Sequence, residues 1–241
     1  MLTINHELSM QEVIALETIA DLMRSHPNNW LGENQILRSE AGLKGFAQAK
    51  DKGIVLSGSD NQVSGFIPSR DLVKAFEKAN SEESLTFNEE YAVEVLWHEV
   101  QHLRIVVSDD HPASEALIQL AARHSYPQLL KALGLSVSNQ ESIIQNGYGY
   151  AENVENLRWM LNYAGIDEAK AAQETLRVIT EESGDRSLAW HVSQWLARQG
   201  ESSASSYRKA LKQIRLPTEP AHRRIRRDLS YGGNRPGNSA G

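Results

Sequence analysis

Residues 96–102 of this chain read Leu96-Trp97-His98-Glu99-Val100-Gln101-His102. Residues four apart on an α-helix lie on one face, so His98 and His102 can present two imidazole nitrogens to one metal ion. Glu99 can then reach a water molecule on that ion without binding the ion itself. In the His-Glu-x-x-His pattern, the two histidines bind zinc and the glutamate acts as general base. The stretch therefore predicts a helix that carries a Zn²⁺ site.

The sequence around this motif favours a buried helix. Thr86 and Glu89 form a capping box at its start, and the helix is predicted to run to about Val106. The residues beside the motif are uncharged: Trp97, Val100, Gln101 and Leu103. Two histidines and a glutamate are costly to bury in an apolar helix without a partner. A metal site is therefore favoured over a pair of structural histidines.

The motif resembles the active-site helix of the zincin-type metallopeptidases. The metzincin branch of that group would require Gly and His where this chain has Ile105 and Ser108. Another branch takes its third zinc ligand from a glutamate on the following helix. Pro112 predicts the start of such a helix, with Glu115 in its first turn. The resemblance implies that His98, His102 and Glu115 bind zinc and that Glu99 is the catalytic base.

Three residues of the connecting loop compete with Glu115 as the third ligand, namely Asp109, Asp110 and His111. A side chain in this loop could turn back toward the metal. Imidazole and carboxylate groups both bind zinc well, so the sequence leaves these alternatives open.

A second catalytic candidate lies in the stretch Gly147-Tyr148-Gly149-Tyr150. The Tyr148 phenol could donate a hydrogen bond to the oxyanion that forms when water attacks a carbonyl. The alternative interpretation is a helix stop with aromatic packing.

The expected fold class is α+β and mostly helical. Residues 1–135 are predicted to form a zincin-like metal-binding domain, and residues 136–216 a helical C-terminal subdomain packed on it. A β-hairpin over residues 53–67 is predicted beside the active-site helix, where it could offer an edge strand to an extended peptide. The Pro-, Gly- and Arg-rich residues 217–241 are predicted to be a disordered basic tail.

Composition narrows the class of protein. The chain has 241 residues and no cysteine, which excludes disulfides, thiol catalysis and cysteine-based metal sites. Its net charge is −6, although the residues from Tyr207 onward carry nine Lys or Arg against two acidic residues. The acidic remainder predicts no nucleic-acid binding apart from this basic end, for which a solvated tail is the expected role. Neither a secretory signal nor a membrane span is found, so we expect a cytoplasmic protein that acts on a peptide or protein substrate.

A further resemblance extends beyond the motif. The residues Leu85 to Tyr91 before it and Ile144 to Tyr150 after it look like metallopeptidase-like domains appended to phage head-morphogenesis proteins. This resemblance implies an alternative function, a non-catalytic structural or interaction module of a phage or mobile-element protein that keeps a zincin scaffold. The intact Glu99 argues against it, because zinc used only for stability needs no base.

Overall fold

A computed structural model describes residues 8–59, 65–108 and 111–230. Within these ranges the chain is mostly helical, with a small mixed sheet and a two-stranded pair, so the α+β class is confirmed. The chain divides into two compact units, Met1–Arg104 with Ala122–Gly149, and Ile105–Ala121 with Tyr150–Gly241.

The elements follow one another along the chain. The first part contains α1 (Met10–Ser25), β1 (Ile36–Glu40), β2 (Ala47–Lys50), β3 (Gly53–Ser57), α2 (Pro68–Glu77), α3 (Phe87–Arg104), β4 (Val107–Ser108), α4 (Ser114–Ser125), α5 (Pro127–Ala132) and α6 (Gln140–Asn146). The second part contains α7 (Ala151–Tyr163), α8 (Glu168–Glu181), β5 (Gly184–Ser187), α9 (Leu188–Gln199), α10 (Ala204–Leu211) and α11 (Thr218–Ser230).

The sheet of the first unit has the order β1-β3-β2, with β3 parallel to β1 and antiparallel to β2. All five residues of β3 are buried, as expected for a central strand. Gly53 begins this strand at a φ of 129°, and a Cβ there would lie 1.9 Å from the Ile36 carbonyl oxygen. Only glycine therefore allows β1 and β3 to approach each other at this point.

The hairpin predicted over residues 53–67 is wrong in its second strand. The antiparallel partner of β3 is β2, which precedes it in the chain. Phe66 and Ile67 are buried but lead into α2, because Pro68 occupies the first position of that helix. Residues 60–64, which the prediction also assigned to the hairpin, lie outside the described residues.

The core of the first unit is built around α3. Its largest fully buried side chains include Trp97 and Tyr91 of α3, together with Phe66 and Tyr126. A helix that is buried all round has no polar face to give to solvent. Any ionisable side chain in the middle of α3 is therefore held inside this unit.

The second unit is helical, apart from the parallel pair β4–β5. The sequence predicted disorder from residue 217, but residues 218–230 form α11, whose Ala221, Ile225 and Leu229 are buried. These three residues follow one another at a spacing of four and form an apolar stripe that packs in the core of this unit. Arginines separate these three residues in the sequence, so the composition of α11 resembles that of a solvated tail.

Polar side chains cap several of the helices. Ser9 and Glu12 form a capping box at the start of α1, and Asp167 caps α8. Ser187 caps α9, where its hydroxyl accepts a hydrogen bond from the Trp190 N–H.

Candidate metal centre

Helix α3 brings the motif into the first unit. It begins with the predicted capping box, in which the Thr86 N–H donates to Glu89 at 2.8 Å and the Glu89 N–H donates to Thr86 at 3.3 Å. Every residue from Glu89 to Gln101 is buried. His98 and Glu99, at 5% and 8% exposure, are therefore almost removed from solvent.

His98 and His102 converge on one point. Their Nε2 atoms lie 3.1 Å apart and their ring centroids 4.9 Å apart. Two nitrogens bound to one tetrahedral zinc at ordinary bond lengths lie about 3.3 Å apart. The rings thus have nearly the separation that a shared zinc ion requires. A hydrogen bond between two neutral imidazoles would also suit this distance, so the pair alone fits a metal but does not require one.

A carboxylate on the next helix is the third candidate ligand. Among the described residues, His98, His102 and Glu115 are the candidate metal ligands. Glu115 lies in the first turn of α4, as the sequence predicted. Two histidines and one carboxylate match the ligand set of a catalytic zinc site, which leaves a fourth position open.

Of the three loop residues that compete with Glu115 as third ligand, the structure describes His111. The Nδ1 atom of His111 accepts a hydrogen bond from the Ala113 N–H at 3.1 Å, just before α4 begins. This nitrogen therefore serves the turn that starts the helix. Asp109 and Asp110 lie outside the described residues.

Glu99 faces the edge of the sheet. Its Oε2 atom accepts a hydrogen bond from the backbone N–H of Ala49 in β2 at 2.5 Å. Where β2 pairs with β3, the Ser57 N–H donates to the Phe46 carbonyl. Backbone groups alternate in direction along a strand, so those of residues 47 and 49 point away from β3. No second hydrogen bond to the Glu99 carboxylate is found among the described residues. One oxygen is thus fixed by the sheet while the other remains able to accept a proton.

The contact between Ala49 and Glu99 is not predicted by the sequence. Strand β2 reads Ala-Gln-Ala-Lys, without the β-branched or aromatic residues that favour strands. The feature of the sequence that indicates this strand is the Asp51-Lys52-Gly53 turn after it, because glycine permits a tight reversal of the chain.

Tyr148 does not lie with the histidines. Its hydroxyl hydrogen-bonds to Asn88 Oδ1 at 3.1 Å, in the first turn of α3. Asn88 precedes Glu99 by eleven residues, or about 16 Å along the helix axis. The Tyr148 ring packs against Phe66 and Tyr91 at centroid distances of 5.9 and 5.0 Å. The predicted role at the oxyanion is therefore unsupported, and the aromatic-packing interpretation describes this residue.

The loop that carries Tyr148 is held by a buried arginine. Arg123 donates hydrogen bonds to the carbonyl oxygens of Gly147 and Gly149 at 2.7 and 2.8 Å. A Cβ on Gly147 would lie 3.0 Å from the Arg123 guanidinium, which explains the glycine there. The Gly149 N–H donates to the Tyr91 hydroxyl, and burial together with the charge of Glu94 raises the pKa of Tyr91 far above its usual value. The Tyr91 phenol therefore stays protonated.

Comparison with protein-family models, with curated proteins and with solved structures finds no match to this chain. In the described ranges, no helix has the length and apolar character needed to cross a membrane.

Proposed function

We propose that this protein is a zinc-dependent metallohydrolase that cleaves peptide bonds, with a zincin-type site. The observation that carries the proposal is the 3.1 Å separation of the His98 and His102 Nε2 atoms on the helix that also bears Glu99. Glu115 supports it, because the first turn of α4 offers the carboxylate that a third ligand requires. The proposed ligands are thus His98, His102 and Glu115.

In this proposal the metal and the protein have separate tasks. Zinc bound by three protein ligands supplies Lewis acidity, which polarises a carbonyl and acidifies a water molecule. Glu99 accepts the proton of the attacking water and passes it to the leaving amine. The Ala49 N–H holds one Glu99 oxygen, so the carboxylate keeps its orientation while the proton moves.

The substrate would lie along β2. This strand is an edge of the three-stranded sheet, and its residues 47 and 49 turn their backbone groups away from β3. The Ala49 N–H is donated to Glu99, and an extended peptide can pair with the remaining backbone groups of this edge through main-chain hydrogen bonds. The Ala49 hydrogen bond to Glu99 connects the same edge to the proposed base. A peptide paired there would be presented beside the residues that act on it.

The substitution Glu99→Gln tests this function. It preserves the size of the side chain but removes the proton acceptor. We expect the zinc content and the fold to be retained, while hydrolysis of a pool of unstructured peptides, followed by mass spectrometry, is lost. The matched control is Glu77→Gln, which removes an exposed carboxylate from α2.

The outcome separates the two functions that the sequence raised. Zinc binding with loss of turnover in Glu99→Gln and unchanged turnover in Glu77→Gln agrees with a peptidase. Zinc binding without any turnover in the wild-type protein would instead indicate a structural metal site on a non-catalytic module. Equal turnover in the wild type and Glu99→Gln would remove Glu99 from the mechanism.

A further inference from the structure

The helical pair α10–α11 concentrates positive charge in the second unit. Eight Lys or Arg residues and two acidic residues lie between positions 208 and 228. From Tyr207 to the end of the chain the net charge is +7, which leaves −13 for the rest. The exposed cations are Lys209, Lys212, Arg215, Arg223, Arg224, Arg226 and Arg227.

The arginines of α11 lie opposite its buried stripe. Successive residues are rotated by about 100°, so positions 223, 224, 226 and 227 fall on the side away from Ala221, Ile225 and Leu229. The stripe is packed in the core of this unit, and all four arginines are exposed. The charged face therefore belongs to an ordered helix, whereas a solvated tail would present no fixed face.

Acidic side chains do little to neutralise this face. Asp228 forms an ion pair with Arg227 at 3.1 Å and accepts a hydrogen bond from Gln213, and its side chain is only 9% exposed. Within the part of the chain that the structure describes, Arg223 and Arg224 have no acidic partner within ion-pair distance. Arg177 of the same unit differs, because it pairs with Glu174, Glu181 and Glu182.

The face is held rigidly by contacts inside the second unit. The Asn156 amide of α7 is fully buried and donates to the carbonyl oxygens of Ile214 and Leu216, both at 2.9 Å. The Thr218 N–H donates to Glu152 at 2.9 Å where α11 begins. A surface that is ordered before binding loses little entropy when a ligand arrives.

We propose that the exposed face of α10–α11 binds the phosphate backbone of nucleic acid. Arginine recognises phosphate through paired hydrogen bonds as well as charge. An anionic membrane is the less suitable partner, because an interfacial helix needs an apolar face to insert and that of α11 is already buried. The acidic remainder of the chain would confine nucleic acid to this face.

The test measures binding of the whole protein to a fluorescent DNA duplex of about 20 base pairs by anisotropy, at several salt concentrations. We expect binding that weakens steeply with salt. The double variant Arg223→Gln and Arg224→Gln loses two phosphate contacts. Each contact contributes about 0.9 to the slope of the logarithm of the association constant against the logarithm of the salt concentration, so this slope should decrease in magnitude by about 1.8. Glutamine resembles arginine in helix propensity, so the fold should persist, which circular dichroism checks.

The matched control removes two exposed lysines of the first unit, Lys44→Gln with Lys74→Gln, and should bind as the wild type does. The proposal fails if the wild type does not bind the duplex at low salt. It also fails if the Arg223 and Arg224 double variant binds like the wild type or loses no more than the lysine control. Vesicles with anionic lipid provide the last comparison, and binding to them as tight as to the duplex would contradict a nucleic-acid surface.

Discussion

The backbone N–H of Ala49 and the carboxylate of Glu99 are joined by a hydrogen bond of 2.5 Å. The two residues are 50 positions apart, and the bond connects the edge of the sheet to the middle of α3. It gives the proposed base a fixed orientation while one carboxylate oxygen stays available. A hydrogen bond to a charged group contributes roughly 1.5–3 kcal/mol, so its loss should be measurable.

The substitution Ala49→Pro removes this donor alone. The Ala49 N–H points away from β3, so proline there deletes no ladder hydrogen bond and is tolerated at a sheet edge. We expect zinc to be retained and turnover to fall by about tenfold or more, because Glu99 loses its orientation. Ala49→Gly keeps the N–H and should remain near the wild-type rate. Equal rates in both variants would show that this bond does not position the base.

Glu115 and His111 can be separated as third ligands by substituting each in turn. Glu115→Ala should weaken zinc binding strongly in a chelator competition, because one of three protein ligands is lost. His111→Ala should retain the metal, since its Nδ1 atom serves the turn before α4. In a zinc-loaded crystal structure, a Glu115 oxygen should lie about 2.0–2.2 Å from the ion. Loss of zinc in His111→Ala alone would transfer the ligand role to His111.

Glu89 makes the stability of α3 depend on pH. Burial acts to raise the pKa of its carboxyl group, but the hydrogen bonds from Lys78 and Thr86 together outweigh it, so the pKa lies below its usual value. A lowered pKa in the folded state adds stability above the unfolded-state pKa, and this stability is lost as the pH falls through the folded-state pKa.

Glu89→Gln should therefore unfold more easily than the wild type at pH 7, by about 1 kcal/mol in urea denaturation. The difference should shrink as the pH falls through the lowered pKa of Glu89, because the wild-type carboxylate then also becomes protonated. Glu83→Gln, at an exposed position, should change little at either pH. If the wild type and Glu89→Gln differ in stability by the same amount in acid, the charge of Glu89 is not the source of the stability difference.

The local features of this site follow from the sequence. The spacing of His98 and His102 places them on one helical face, and the capping box at Thr86 and Glu89 predicts where that helix begins. Pro112 and the short loop predict that Glu115 lies in the first turn of the next helix. Each of these inferences depends on residues within one turn or one short loop, where periodicity and capping chemistry suffice.

The features that the sequence does not predict depend on distant contacts or on ambiguous composition. Ala49 lies in a strand without strand-favouring residues, and its role arises only when the sheet packs beside α3. Tyr148 lies between two glycines that allow either a catalytic or a packing role, and its hydrogen bond to Asn88, 60 residues away, is a contact that the sequence does not predict. In α11 the arginines obscure an apolar stripe that becomes evident only when it packs in its unit.

Elemental analysis of the purified protein measures whether His98 and His102 bind zinc. We expect about one zinc per chain after dialysis against a mild chelator, with loss of the metal in His98→Ala and in His102→Ala. The control His26→Ala, which removes a histidine that stacks on Trp30, should keep the metal. A wild-type protein without zinc, or both variants with full zinc, would show that these two histidines do not form a zinc site.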